Sequence, residues 1–149
     1  MITLKRTSSD DTDFQNLVRE LDKELAIRNG EEHAYYAQFN KIEAIKYVVV
    51  AYQENEPVGC VAIKEFAENS MEVKRMFVPE NKRDNGIATK VLKELETWSK
   101  ELNYEKCVLE TGLRNPEAIA LYRKHGYMQI PNYGQYIGMD NSICFEKVL

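Results

Sequence analysis

Apolar and polar positions alternate over residues 2–6, where Ile2 and Leu4 sit between polar neighbours with the two-residue period of a half-buried strand. The period then lengthens. Phe14, Leu17, Val18, Leu21 and Leu25 recur every three or four positions, which predicts an amphipathic helix. The run Ser8-Ser9-Asp10-Asp11-Thr12 offers caps at its start, Thr12 and Gln15 stand at capping-box spacing, and Asn29-Gly30 marks its end. A looser helical pattern follows over 31–44. Tyr47-Val48-Val49-Val50-Ala51-Tyr52 reads as a strand, Glu54-Asn55-Glu56-Pro57 as a turn, and 58–66 as the returning arm of a hairpin. Another strand covers 71–78 and stops at Pro79. Ile87, Val91, Leu95, Trp98 and Leu102 keep one face of the most regular helix, 86–102. A strand at 106–110 follows, Asn115-Pro116 opens a last helix ending at Gly126, and 127–130 with 142–148 form a final strand pair joined by a loop.

The resulting order, β, α, α, β, β, β, α, β, α, β, β, combines hairpins with helical crossovers and predicts an α+β (mixed α/β) fold. A chain of 149 residues suits one domain spanning 1–149, and no repeat, low-complexity tract or linker divides it. Hydrophobic residues at 44% and charged residues at 30% are the balance of a globular chain rather than a disordered one. No apolar run approaches the roughly 20 residues that span a bilayer, and the start, Met1-Ile2-Thr3-Leu4-Lys5-Arg6, lacks the apolar centre of a secretory signal. These features predict a cytoplasmic protein with no membrane partner. A net charge of −4 argues against a nucleic-acid partner and is compatible with a cationic substrate such as an amine.

Cys60, Cys107 and Cys144 are scattered through apolar, strand-like stretches and form no CxxC pair, so they read as buried thiols of a reducing compartment. With His33 and His125 as the only histidines, neither a Cys–His pair nor a metal-ligand spacing is written in the chain, and no metal is expected.

Chemistry concentrates between 71 and 89. A strand ends at Val78-Pro79, a short polar loop follows, and Arg83-Asp84-Asn85-Gly86-Ile87-Ala88 leads directly into the long helix. Backbone N–H groups at a helix N-terminus lack partners and, with the helix dipole, favour an anion. Gly86 and the small Ala88 would let a pyrophosphate approach the backbone, although Gly86 could equally be a plain loop residue before a helix. Dinucleotide and nucleoside-triphosphate fingerprints, G-x-G-x-x-G and G-x-x-x-x-G-K-[ST], are absent.

In this setting Arg83-Asp84-Asn85-Gly86-Ile87-Ala88 resembles the [QR]-x-x-G-x-[GA] acetyl-CoA signature of the GNAT acetyltransferases. Downstream, Asn115-Pro116-Glu117-Ala118-Ile119-Ala120-Leu121-Tyr122-Arg123-Lys124-His125-Gly126-Tyr127 is similar to the family's second motif, an Asn-started helix with a tyrosine that ends in Gly-aromatic. The resemblance covers about 47–127 and implies a central, mostly antiparallel twisted sheet of six to seven strands flanked by about four helices. It further implies an N-acetyltransferase that moves acetyl from acetyl-CoA to a primary amine by direct attack in a ternary complex. A homodimer would be in keeping with the family.

Carried over by position, the resemblance gives the pantetheine arm to the backbone of Met76, Phe77 and Val78. It gives the pyrophosphate to the N–H groups of Arg83, Asp84, Asn85, Gly86, Ile87, Ala88 and Thr89. Asn115 would contact the cofactor arm, and Tyr122 would place its hydroxyl near the sulfur. The chemistry asks for such groups: a neutral amine, donors for the oxyanion (the Phe77 or Val78 N–H) and a proton for the departing thiolate (Tyr122). Tyr122 read alone is also a plausible core aromatic. Glu72 stands where some members carry a base, or else pairs with Lys74 on its strand. Tyr35, Tyr36 and Tyr133, with Phe39, Tyr136, Glu31 and Glu32 nearby, would line the acceptor pocket or serve as half-buried packing. An acyl-CoA sensor, an interaction module, or acetylation of a protein amino group are the competing readings.

Overall fold

The computed structural model describes residues 1–30 and 44–149. Its elements are β1 (Ile2–Thr7), α1 (Thr12–Asn29), β2 (Tyr47–Gln53), β3 (Glu56–Ala67), β4 (Ser70–Phe77), α2 (Ile87–Glu101), β5 (Lys106–Gly112), α3 (Pro116–Lys124), β6 (Met128–Ile130) and β7 (Ser142–Val148). The helix expected over 31–44 falls almost wholly outside the described residues, as do Tyr35, Tyr36, Phe39, Glu31, Glu32 and His33.

Local chemistry accounts for the boundaries. Asp11, not Thr12, caps α1: its carboxylate accepts the Phe14 N–H at 3.1 Å, while the Gln15 side chain donates to the Ser9 carbonyl. A carboxylate accepts this bond more strongly than a hydroxyl would and also faces the positive end of the helix dipole. The β2–β3 turn is tighter than the Pro-containing turn predicted. Glu54 and Asn55 both have positive φ, 51° and 67°, as a two-residue hairpin turn requires, so Glu56 and Pro57 already belong to β3. Pro57, which has no N–H to give the ladder, sits where the β2–β3 register shifts.

Among the described residues, seven strands form one sheet in the order β1-β2-β3-β4-β5-β7-β6. Every neighbouring pair is antiparallel except β4 and β5. Alternation along the strands splits the core in two. Val49, Ala51, Val61, Ile63, Val73, Leu109 and Phe145 pack against Ile87, Val91, Leu92 and Leu95 of α2 and Tyr122 of α3. Val48, Val50, Cys60, Ala62 and Phe77 pack against Phe14, Leu17, Val18 and Leu21 of α1. Burying each such aliphatic side chain contributes roughly 1.5–3 kcal/mol, and the two layers hold the sheet's centre rigid.

The parallel pair positions the site. Its register runs Ser70↔Lys106, Met71↔Cys107, Glu72↔Val108 and then ends, although β4 continues to Phe77 and β5 to Gly112. Beyond Glu72 the two strands splay. On the other edge of β4, the β3 register passes from Ala62↔Lys74 to Cys60↔Phe77, so three steps on β4 answer two on β3. This is a β-bulge, with Arg75 at φ 58°. Bulges bend a strand and sharpen its twist, which turns the end of β4 away from β5.

Candidate active site

At one end of the splay stands the N-terminus of α2. Gly86 is its cap residue at φ 75° and supplies no side-chain hydrogen bond, leaving the first N–H groups of the helix without an intrahelical acceptor. A Cβ at Gly86 would meet nothing within 4 Å, so the space beside the cap residue is open. The loop before it is braced from within. The Arg83 guanidinium donates to the Val78 carbonyl at 2.8 Å and to both oxygens of Glu24 on α1, at 2.8 and 3.0 Å. The Asn85 amide donates to the carbonyls of Lys82 and Arg83. The side chain of Arg83 is thereby committed to holding the loop. Thr89, in the first turn, lies 2.9 Å from Nε2 of His125, which ties the α2 terminus to the end of α3. Burial holds the His125 imidazole below its usual pKa and favours the neutral ring.

Between the splayed strands lies a cavity of about 140 Å³ that opens through the sheet. From the α3 side it is lined by Asn115, Ala118 and Tyr122; from the α1 side by Leu21, Leu25, Glu72, Lys74, Glu110 and Tyr136; and from β4 itself by Met76. Asn115 caps α3, its side chain accepting the Ala118 N–H at 3.3 Å. Tyr122 is buried, edge-on to Tyr127 with ring centroids 5.5 Å apart. Burial, and secondarily the charge of Glu110, push its phenol above the ordinary value, so it keeps its proton.

Glu72 is buried with both oxygens engaged: Tyr133 donates its hydroxyl to one at 2.7 Å and the Lys74 ammonium lies 3.6 Å from the other. Tyr133 is in turn edge-on to Phe66 and Tyr136. Its loop is folded by Asn132, whose amide reaches the carbonyls of Tyr136, Met139 and Ser142. The sequence-predicted residues Met76, Asn115, Tyr122 and Glu72 thus meet at one cavity, and Tyr133 adjoins it through Glu72.

Glu110 is the residue that the sequence reading missed. It lies on β5 opposite Cys144, and desolvation pushes its carboxyl up to about 7, only partly offset by a hydrogen bond from Ser142 and the charge of Lys74. A carboxylate in the apolar run Cys107-Val108-Leu109-Glu110, just upstream of Asn115, was the available signal. Among the described residues, no cluster of His, Cys, Asp and Glu could hold a metal ion, and no helix is long and apolar enough to cross a membrane.

An uncapped helix N-terminus, a strand edge left unpaired beyond Glu72 and a cavity holding Glu110 and Tyr122 are together the parts that a transferase acting on a long phosphorylated thioester needs. The model of the acetyltransferase (GNAT) family matches residues 14–127, and the chain belongs to that family. It is an acetyltransferase with acetyl-CoA as cosubstrate. A protein of Azospirillum brasilense named IAA acetyltransferase is 30% identical over 99% of this chain and 98% of its own length. A Klebsiella pneumoniae structure assigned as an acyl-CoA N-acyltransferase superposes with a TM-score of 0.83 at 25% identity, over 100% of this chain and 98% of the other. The PaiA N-acetyltransferase of Thermoplasma acidophilum, solved with coenzyme A, shares the fold with a TM-score of 0.74 at 17% identity, covering 100% and 99% of the two chains.

Proposed function

We propose that the protein acetylates a primary amine of a small molecule by direct attack in a ternary complex, with Glu110 as base and Tyr122 as acid. The observation that carries this reading is the pairing in one cavity of a carboxyl poised near neutrality with a phenol that keeps its proton. Bound acetyl-CoA supplies an activated carbonyl on a thiol leaving group. Glu110, from the α1 side of the sheet, accepts the proton that the incoming amine must lose, directly or through water. The Phe77 or Val78 N–H at the free edge of β4 faces the oxygen on which charge develops. Tyr122, from the α3 side, gives its proton to the departing sulfur.

Glu72 serves in this scheme as the anchor of Tyr133 on the acceptor wall, since both its oxygens are already occupied. The Azospirillum relative, named IAA acetyltransferase, supports a small-molecule acceptor. Direct transfer is supported by the thiols: Cys60, Cys107 and Cys144 are all buried, and desolvation pushes them up to about 12, 11 and 11, far from the thiolate that an acyl-enzyme would need. Three free thiols also suit the cytoplasm.

Initial rates measured over both substrates test the order of events. Intersecting lines are expected, and parallel lines would establish an acetylated enzyme instead. The base is tested through pH. Because Glu110 must be ionised to act, kcat/KM in wild type should rise with pH through about 7. Glu110→Gln should lose about a hundredfold in kcat/KM and flatten that limb, leaving the limb set by the amine's own ionisation. Stability follows with the opposite sign. The folded carboxyl holds its proton to higher pH than the unfolded one, so its contribution falls between pH 4.5 and about 7. Glu110→Gln should accordingly gain denaturant resistance relative to wild type at pH 8. An unchanged pH–rate profile in the variant would remove Glu110 from the chemistry.

A further inference from the structure

We propose that Gly59, on β3 and outside the cavity, is a positioning residue that sets where the phosphate-binding end of α2 stands. Glycine inside a strand weakens it and has no side chain to pack, so its presence in the middle of β3 calls for a reason. The reason lies directly above it. A Cβ at Gly59 would sit 2.7 Å from Cγ2 of Ile87, 3.3 Å from Cγ2 of Val78 and 3.4 Å from the carbonyl oxygen of Phe77. The first distance is one that packed carbon atoms do not adopt, and the second is tighter than ordinary contact.

These neighbours are the two structures that converge on the cofactor. Ile87 is the first residue of α2, Phe77 ends the splayed strand and Val78 follows it. Neither side can yield cheaply. Ile87 is 2% exposed in the core cluster that also holds Val58, Val78 and Val91, and β-branched side chains in helices have essentially one χ1 rotamer. The cross-strand partner of Gly59 is Ala51, itself small and fully buried, so the sheet is kept low over the whole patch where the helix start rests. Adding one methyl group would therefore lift the first turn of α2, and with it the N–H groups from Gly86 to Thr89, off the sheet. The weaker contact with Val78 would pass less of the displacement to the end of β4.

The inference rests on the assignment of the cofactor phosphates to that helix terminus, and the test separates the two. Steady-state KM is measured with acetyl-CoA and with acetyl-pantetheine, which lacks the phosphates, for wild type, Gly59→Ala, Ile87→Leu and the double variant. Leucine keeps the volume of Ile87 but has no Cγ2. Gly59→Ala should raise KM for acetyl-CoA roughly tenfold, with kcat and KM for acetyl-pantetheine within about twofold of wild type. Adding Ile87→Leu should bring the acetyl-CoA value back to that of Ile87→Leu alone. Should Gly59→Ala fail to fold, the double variant is compared with Ile87→Leu, and equal acetyl-CoA KM values are expected. Equal losses with both donors, no loss, or a deficit that persists in the double variant would overturn the proposal. If wild type fails to prefer acetyl-CoA over acetyl-pantetheine, the phosphate assignment itself fails and the role of Gly59 goes with it.

Discussion

Gly86→Asp is expected to weaken acetyl-CoA binding by about a hundredfold or more while the protein stays folded. The fold can accept the residue. The position has φ 75°, which aspartate tolerates better than most residues, and a Cβ there touches no protein atom within 4 Å. Aspartate is also a favourable cap for the α2 N–H groups that Gly86 leaves unsatisfied. That is why the ligand loses: the new carboxylate takes the donors meant for the pyrophosphate and sets a like charge in its place. Gly86→Ala, which adds strain without charge, should cost only about tenfold. Calorimetric titration with acetyl-CoA, alongside thermal melts, measures both. Unchanged affinity in Gly86→Asp would remove the helix terminus from the cofactor site.

Tyr122→Phe is expected to lower kcat by about a hundredfold with KM for acetyl-CoA within about twofold. The change deletes one oxygen from a ring that packs between Tyr127 and Phe145, with centroids 5.5 and 6.4 Å away, and phenylalanine keeps those contacts. Melting temperature should therefore move little, which separates this variant from a packing defect. The raised pKa keeps the hydroxyl protonated across the working range, so the loss should be nearly independent of pH, unlike that of Glu110→Gln. Single-turnover rates equal to wild type would leave Tyr122 a core aromatic and nothing more.

Most of the fold could be read from periodicity. The helical stripes of Phe14–Leu25 and Ile87–Leu102 and the hairpin at 47–66 each announce which face is buried, and the faces they predict are those that pack. The helix terminus of the site was legible too, because its signature is local: a strand, a polar loop, Gly86 and a helix fall within a few residues. What stayed hidden depends on partners distant in sequence. No pattern in 70–77 says that pairing with β5 stops at Glu72, since register is set by residues more than thirty positions away. Glu110 looked like an ordinary strand glutamate until Tyr136, Ser142 and Tyr122 closed around it. Nor does the pattern around Arg83 announce its side-chain partners, Glu24 and the Val78 carbonyl, because Glu24 lies on α1, far back in the chain. Gly59 carried no signal, because the atom it avoids belongs to Ile87.

The measurement that bears most directly on the account is release of the coenzyme A thiol from acetyl-CoA across a panel of small primary amines and a peptide, with and without each acceptor. Release is expected to depend on a small amine, with one thiol appearing for each amide formed and none in the absence of acceptor. Acetyl-CoA bound tightly but never turned over by any amine would contradict it and leave an acyl-CoA sensor in its place.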